Sequence, residues 1–246
     1  MIDSHIHIGQ YNEIYYNPVE IIQIVMEKCK EGLYFSSTTT CKENIHYSEV
    51  ELEIEHTLSQ VLEMGELIRP FLWYIPAYIG QGVIFEDAIK NLPYKGIKLH
   101  PLAHQWDLKD DKILHTLHRI FEYAGYNELP VLIHTGNSGV DAASTFSQFF
   151  LIYPQTQFVL AHCRPLEEAC SLIRIYPNVY GDTAFLTESD FSHIMAAGLG
   201  SKMIFGSDFP ITHYFSNKYQ TGVKKVSLET QYHDDFEQLQ RMMIAA

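Results

Sequence analysis

The chain is short of cysteine, of basic clusters and of long apolar runs, and each shortage removes a class of protein. Its four cysteines, Cys29, Cys41, Cys163 and Cys170, are scattered with no Cys-x-x-Cys pair. Neither a disulfide framework nor a thiolate zinc site is expected, and a reducing cytoplasm suits them. Lys and Arg number 17 against 30 Asp and Glu, a formal net charge of -13. With no Lys/Arg cluster, a nucleic-acid groove or an anionic membrane surface is not an expected partner. No apolar stretch reaches the roughly 18 residues that span a bilayer. The first strand begins at Ile2 with no basic lead or apolar run before it, so no secretory signal is expected.

What is present is a core and an unusual number of imidazoles. The 246 residues are 46% hydrophobic, which suits one large domain or two small ones, and 13 of them are histidine. Strand-like and helix-like segments alternate. Ile2–Ile8 is a strand, and Gly9–Asn17 an aromatic loop with Tyr11, Tyr15 and Tyr16. Pro18 opens a helix to about Lys30, since a first-turn proline loses no partner for its missing N–H. Strands follow at Leu33–Thr40, Ile68–Ile75, Lys95–His100, Pro130–His134, Gln157–His162, Val179–Thr183 and Lys202–Asp208. Helices are expected at Ser48–Leu67 (capped by Ser48 with Glu51 three residues on), Val83–Asn91, Asp110–Ala124, Asp141–Ile152, Pro165–Tyr176, Glu188–Ala197 and Ser227–Met243. Strict alternation implies a parallel sheet with helices outside. Eight units in this length is the size of a (β/α)8 TIM barrel, here as a single domain over residues 1–246. A doubly wound open sheet usually carries a Gly-rich phosphate turn after its first strand, and that turn is missing.

The chemistry concentrates at the strand ends. His5 and His7 lie two apart on a strand, so both project from one face about 6.6 Å apart along the chain. Two neutral imidazoles in that geometry can hold one divalent cation; two surface histidines are the plain alternative. Other strands run apolar and then end on an ionisable residue: Lys98 and His100, His134, His162, and Asp208. A (β/α)8 barrel carries its catalytic residues at that mouth, on the ends of several strands. Uncompensated buried charge there costs several kcal/mol each, against a total stability of about 5–15 kcal/mol. A bound metal removes the difficulty, because it takes neutral His and ionised Asp as ligands.

The ordered set His-x-His, Lys, His, His, Asp resembles the amidohydrolase superfamily of metal-dependent barrels. Gly96-Ile97-Lys98-Leu99-His100-Pro101 and Phe205-Gly206-Ser207-Asp208-Phe209-Pro210 resemble its branch called amidohydrolase family 2, over residues 1 to about 210. That resemblance implies one or two divalent ions, with zinc the expected element. His5 and His7 would be ligands; Asp208 would be a ligand or lie against the metal-bound water, taking a proton from that water and passing it to the leaving group. His134 would join the same ion or a second one. His162 would hold the second ion, or in a one-ion site orient water or polarise a carbonyl. Lys98 would bridge two ions only as a carbamate; otherwise it pairs with an acid such as Asp182 or holds an anionic substrate. The implied reaction is hydrolysis of an amide, lactone or ester in a small molecule, or a non-oxidative decarboxylation in the same site.

The residues around this set carry further expectations. Arg164, at the rim, can grip a substrate carboxylate bidentately, or pair with Glu167. His100 faces substrate or belongs to the loop before Pro101. Asp3 shares the parity of His5 and His7, so it is expected to point inward, supporting a ligand or forming a salt bridge. Cys163 is expected to face the helices as packing. The Phe209–Val226 loop is expected to act as a lid, and the aromatic loops would suit a homodimer. A barrel that has lost its activity and only binds a metabolite predicts a missing ligand, and none of the six positions is vacant.

Overall fold

The computed structural model describes residues 1–38, 46–137, 139–219 and 226–244. The chain opens with β1 (Ile2–Tyr11), which turns back at Asn12 into a short antiparallel β2 (Ile14–Tyr16). Then follow α1 (Pro18–Lys28), β3 (Gly32–Ser37), α2 (Tyr47–Gln60), β4 (Ile68–Trp73), α3 (Pro76–Gly80), α4 (Phe85–Asn91), β5 (Gly96–Leu99), α5 (Asp111–Tyr126), β6 (Val131–His134) and α6 (Ser147–Ile152). The chain continues through β7 (Phe158–Ala161), α7 (Leu166–Ile175), β8 (Val179–Asp182), α8 (Glu188–Ala196), β9 (Met203–Ile204), α9 (Ile211–Tyr219) and α10 (Leu228–Ile244).

Neighbouring strands pair in chain order, with β2 appended to β1, and every pair except β1–β2 is parallel. Beyond β9 the chain returns to β1. Ser4 N–H donates to Phe205 O at 3.0 Å, Asp208 N–H to His5 O at 2.8 Å and His7 N–H to Phe209 O at 2.8 Å. Ile6 and Phe209 form the parallel bridge. The sheet therefore closes, and β1 with β3 to β9 makes the expected (β/α)8 barrel.

Two apolar layers hold it. The larger lies between strands and helices; the smaller fills the barrel with Phe71, Leu132, Val159 and Ala161, flanked by Tyr34, Tyr180 and Ile204. A Cβ on Gly96 would stand 1.7 Å from the Phe71 ring, so only glycine lets β5 pass this filling. Helix starts are capped locally: Asn17 Oδ1 accepts from Val19 N–H at 3.0 Å, Asp110 from Lys112 N–H at 2.8 Å, and Thr187 and Asp190 cap α8 reciprocally.

Several expectations are corrected. The aromatic loop after the first strand is a hairpin, turned at Asn12 in the left-handed region (φ 51°). The helix expected over Ser48–Leu67 starts at Tyr47 behind His46, not behind a Ser48 cap. It ends at Gln60, and a 3-10 stretch, Leu62–Leu67, follows, broken at Gly65 (φ 50°, ψ -132°). The helix expected from Asp141 begins only at Ser147, after two short 3-10 turns. The Phe209–Val226 segment contains α9. Its residues 220–225 lie outside the described residues, as do Cys41 and the expected strand end at 39–40. The loop aromatics pack on one another: Tyr16 and Tyr214 are buried, and the Tyr11 and Tyr214 rings meet at 4.8 Å. Among the described residues, no helix is long and apolar enough to cross a membrane.

Candidate metal centre

The six strand-end residues meet at the C-terminal mouth, and the backbone is bent to bring them there. Along β7, Val159 and Ala161 face the barrel interior. Simple alternation would send His162 outward. His162 instead takes φ 71°, Cys163 φ 49° and Asp208 φ 58°, all left-handed. These conformations cost of order 1–3 kcal/mol each and collect at functional sites. Cys163 is buried as expected packing. On β1 the pairing with β3 slips between Asp3 and Ile6, where three steps oppose two. This bulge reverses the parity of Asp3. Asp3 accordingly does not point into the barrel beside His5; its carboxylate reaches the Tyr232 hydroxyl on α10 at 3.0 Å, and it forms no salt bridge among the described residues.

The centre itself is compact. His5 Nε2 and His7 Nε2 are 3.2 Å apart. Asp208 Oδ1 lies 2.9 Å from His7 Nε2 and 3.2 Å from His5 Nε2. One ligand atom each from His5, His7 and Asp208 falls within 4.8 Å of the others, and all three side chains are buried. His5 Nδ1 stands 2.7 Å from Asp182 Oδ2. If it donates there, the Nε2 lone pair is turned to the centre. His7 Nδ1 is fixed in the same sense by Ser36 Oγ at 3.1 Å.

His134 and His162 form a second group. His134 Nδ1 is 3.2 Å from His162 Nε2, and His134 Nε2 is 4.0 Å from Asp141 Oδ2. His162 Nε2 lies 3.9 Å from Asp208 Oδ2, linking the pair to the trio. His134 does not belong to the trio itself. Lys98, buried in the barrel, reaches His5 Nε2 at 2.9 Å and stands 5.8 Å above the Trp73 ring.

Burial sets the charges. It pushes His5, His7, His134 and His162 well below the usual imidazole range, with the Lys98 charge adding to the effect on each. Neutral imidazoles are the ligand form. Burial raises Asp208 to about 6, against the pull of His5 and Lys98, and raises Asp182 too. It lowers Lys98, opposed by Asp208 and Asp182. Imidazole nitrogens and the carboxylates of Asp208 and Asp182 make a donor-rich centre, which fits a divalent cation. One feature must change on binding: an ammonium donating to His5 Nε2 uses a lone pair that a metal would need.

A cavity of about 400 Å³ opens above this centre, with Tyr11, Trp73, Phe185 and Phe215 among its walls and Lys98 and Arg164 as its cations. The Arg164 guanidinium lies 5.9 Å over the Phe185 ring. The Arg164–Glu167 pair does not form, and Glu167 meets His193 at 3.1 Å instead. His100 lines the cavity, stacked on His134 at 3.7 Å, and its Nδ1 accepts from Ala103 N–H at 3.2 Å. Two further residues matter here: Asp182, which the sequence offered only as a partner for Lys98, and Ser36. Asp182 joins His5, the His162 amide at 2.8 Å and the Ala184 amide at 3.2 Å. It obeys the same strand-end rule as the others. Ser36 carries no such signal. A further group, Glu27, Glu229 and His233, lies at the surface of α1 and α10.

Comparison with known proteins gives a consistent picture. A family model described as Amidohydrolase matches residues 83–243. No curated protein matches the chain. Among solved structures, Amidohydrolase 2 from Bifidobacterium longum subsp. infantis is 15% identical with a TM-score of 0.57, over 99% of this chain and 98% of that one. A 2,6-dihydroxybenzoate decarboxylase from Rhizobium is 10% identical with a TM-score of 0.56, over 99% and 98%. A dihydroxybenzoic acid decarboxylase from Polaromonas sp. JS666, solved with bound manganese and the inhibitor 2-nitroresorcinol, is 11% identical with a TM-score of 0.52, over 99% and 96%. At such identities these structures speak for the fold. The family model covers more than half of the sequence on its own account, so the chain belongs to the amidohydrolase family.

Proposed function

We propose that the protein is a single-domain, metal-dependent hydrolase that cleaves an amide, lactone or ester bond of a small molecule. The observation that carries this reading is the convergence of His5, His7 and Asp208 within 4.8 Å at a buried strand-end mouth. His5, His7 and Asp208 would hold a divalent ion, with zinc expected, and His134 and His162 would complete the site or hold a second ion. Such an ion lowers the pKa of water to about 7 and polarises a carbonyl.

The chain's own groups do the rest. Asp208, whose Oδ2 lies 3.9 Å from His162 Nε2, can take a proton from the attacking water and return it to the leaving group. His162 Nδ1 is 3.3 Å from Ala184 O. A donor there leaves Nε2 facing the pair of His134 and Asp208 to orient water or substrate. Arg164 has no carboxylate partner among the described residues, so its fork is available to a substrate carboxylate. His100, whose Nδ1 is occupied by Ala103, offers an Nε2–H donor at the cavity wall. The free, buried Cys29, Cys163 and Cys170 suit a cytoplasmic setting.

A second reading is non-oxidative decarboxylation of a small carboxylic acid. It is favoured by Arg164, which has no carboxylate partner among the described residues, beside an aromatic-walled cavity and by decarboxylases among the solved neighbours. Elemental analysis of the purified protein, with His5→Ala and Asp208→Asn beside it, tests the shared premise. Wild type should carry bound metal that both variants lose; metal-free wild type that also fails to bind added zinc or manganese sinks both readings. Carbon dioxide release against ring-opened or bond-cleaved product then separates the two chemistries.

A further inference from the structure

We propose that Asp3, held by Tyr232 of α10, is the positioning residue of the metal centre. It fixes the barrel's closing seam and so the spacing of the strands that carry His5, His7 and Asp208. This rests on the metal reading above and goes beyond it, because neither residue faces the cavity.

The seam between β1 and the chain after β9 is where two ligand sets from opposite ends of the sequence must meet. Backbone bonds from Ser4 to Phe205, Asp208 to His5 and His7 to Phe209 run along it. Two more amides of this seam, His5 N–H and Ser207 N–H, donate to one atom, Asp3 Oδ1, at 3.2 and 3.1 Å. One of these amides belongs to a ligand and the other is the residue before a ligand. The contact to His5 two residues on is the local bond that Asp makes to its own backbone at a bend. Here it secures the bulge that turns His5 inward while Asp3 points out.

The other carboxylate oxygen is secured from outside the barrel. Tyr232 donates to Asp3 Oδ2 at 3.0 Å, and both residues are wholly buried. The Tyr232 ring packs on Phe209, the residue after Asp208, at 4.9 Å, and Cys29 Sγ stands 3.4 Å from its hydroxyl. Tyr232 thus holds both sides of the seam: one through Asp3, the other through Phe209. Ligand geometry with separations of 2.9 and 3.2 Å tolerates little sliding of one strand past the other, and groups that orient ligands from behind typically govern metal affinity.

The test measures zinc affinity by competition with a chromophoric chelator, together with far-UV circular dichroism and Tm, on wild type, Asp3→Asn, Asp3→Ala and Tyr232→Phe. Asp3→Asn keeps an acceptor for both amides and should bind zinc within about threefold of wild type. Asp3→Ala should weaken zinc by about 10–100-fold. Tyr232→Phe removes one of the four hydrogen bonds to Asp3, the others coming from the His5 amide and from the amide and side chain of Ser207, and should weaken zinc by about fivefold with an unchanged far-UV spectrum. If Asp3→Ala does not fold, Tyr232→Phe decides. Variants that lose Tm yet bind zinc as tightly as wild type overturn the proposal alone, since the pair is then only structural. Wild type that takes up no zinc or manganese overturns it together with the metal reading.

Discussion

Replacing Asp182 with Asn isolates what the buried carboxylate does for the metal centre. The side chain keeps its shape, and its Oδ1 can still accept from the His162 amide at 2.8 Å and the Ala184 amide at 3.2 Å. What changes is the partner of His5 Nδ1, now 2.7 Å from a carboxylate oxygen. With the two amides holding the carbonyl, the Asn NH2 faces Nδ1 and makes it an acceptor. The proton then moves to Nε2, the atom that faces His7 and Asp208. The imidazole is in place but in the wrong tautomer, and its lone pair points away from the centre. Loss of such a carboxylate partner costs about 10–100-fold in metal affinity, or about 1.4–2.7 kcal/mol. Zinc competition titrations on folded Asp182→Asn should show that loss while the far-UV spectrum stays that of wild type. Affinity within twofold of wild type would refute the reasoning, because His5 would then hold metal without a fixed tautomer.

Arg164→Met should raise KM about 10-fold or more for an anionic substrate and change it little for a neutral analogue; equal changes for both would remove Arg164 from substrate binding. Gly96→Ala should destabilise by about 1–3 kcal/mol or more, since its Cβ would stand 1.7 Å from the Phe71 ring. A double variant with Phe71→Leu should recover part of that in urea unfolding. For the metal-free protein, the lowered imidazoles cost stability as pH falls below 6.5, where the unfolded chain takes up protons that His5, His7, His134 and His162 do not. Asp3, raised to about 7, and Asp208, raised to about 6, bind protons more tightly when folded, so their contribution is lost as pH rises through those values. Asp182, also raised to about 7, and Asp235, raised to about 6, act in the same direction as Asp3 and Asp208, and His100 joins the lowered imidazoles. Five imidazoles outnumber these four carboxylates, so Tm of the apo protein should fall as pH drops from about 6.5 to about 5, and a Tm that rises on that acidification would contradict those shifts.

Much of the site was legible because a parallel barrel writes its function at regular places. Each strand is an apolar run, and a polar residue at its C-terminal end stands out against it. His5, His7, Lys98, His134, His162 and Asp208 are all visible in that way, and Asp182 satisfies the same rule. Parity was less reliable. It placed Asp3 inside, and a one-residue bulge between Asp3 and Ile6 put it outside. It could not foresee that His162 turns inward by adopting φ 71° after an inward Ala161. Bulges and left-handed residues are settled by the closure of the whole sheet, not by the local pattern. Helix ends failed for a similar reason: the acidic pattern of α2 continues past Gln60, but the helix gives way there to a 3-10 stretch that is broken at Gly65 before β4. Ser36 was invisible, since a serine at a strand end gives no signal until an imidazole is placed 3.1 Å away.

Lys98 decides how many ions this arrangement can hold. The ligands divide into a trio, His5, His7 and Asp208, and a pair, His134 and His162, joined by the 3.9 Å approach of His162 to Asp208. As an ammonium, Lys98 sits 2.9 Å from His5 Nε2 and is balanced by Asp208 and Asp182. That state suits one ion at most, because a second divalent charge beside a buried ammonium would meet uncompensated repulsion in a low-dielectric interior. Two ions require Lys98 to exchange its positive charge for a negative one, as a carbamate does, and the pair could then serve the second ion. Metal content and modification should therefore move together: a one-ion protein with an unmodified Lys98, or a two-ion protein whose intact mass carries one added carbon dioxide. Native mass spectrometry of the metal-loaded protein reads both quantities in one spectrum. Two tightly held ions beside an unmodified Lys98 would break this electrostatic argument, and Lys98→Met holding one ion more tightly than wild type would support it.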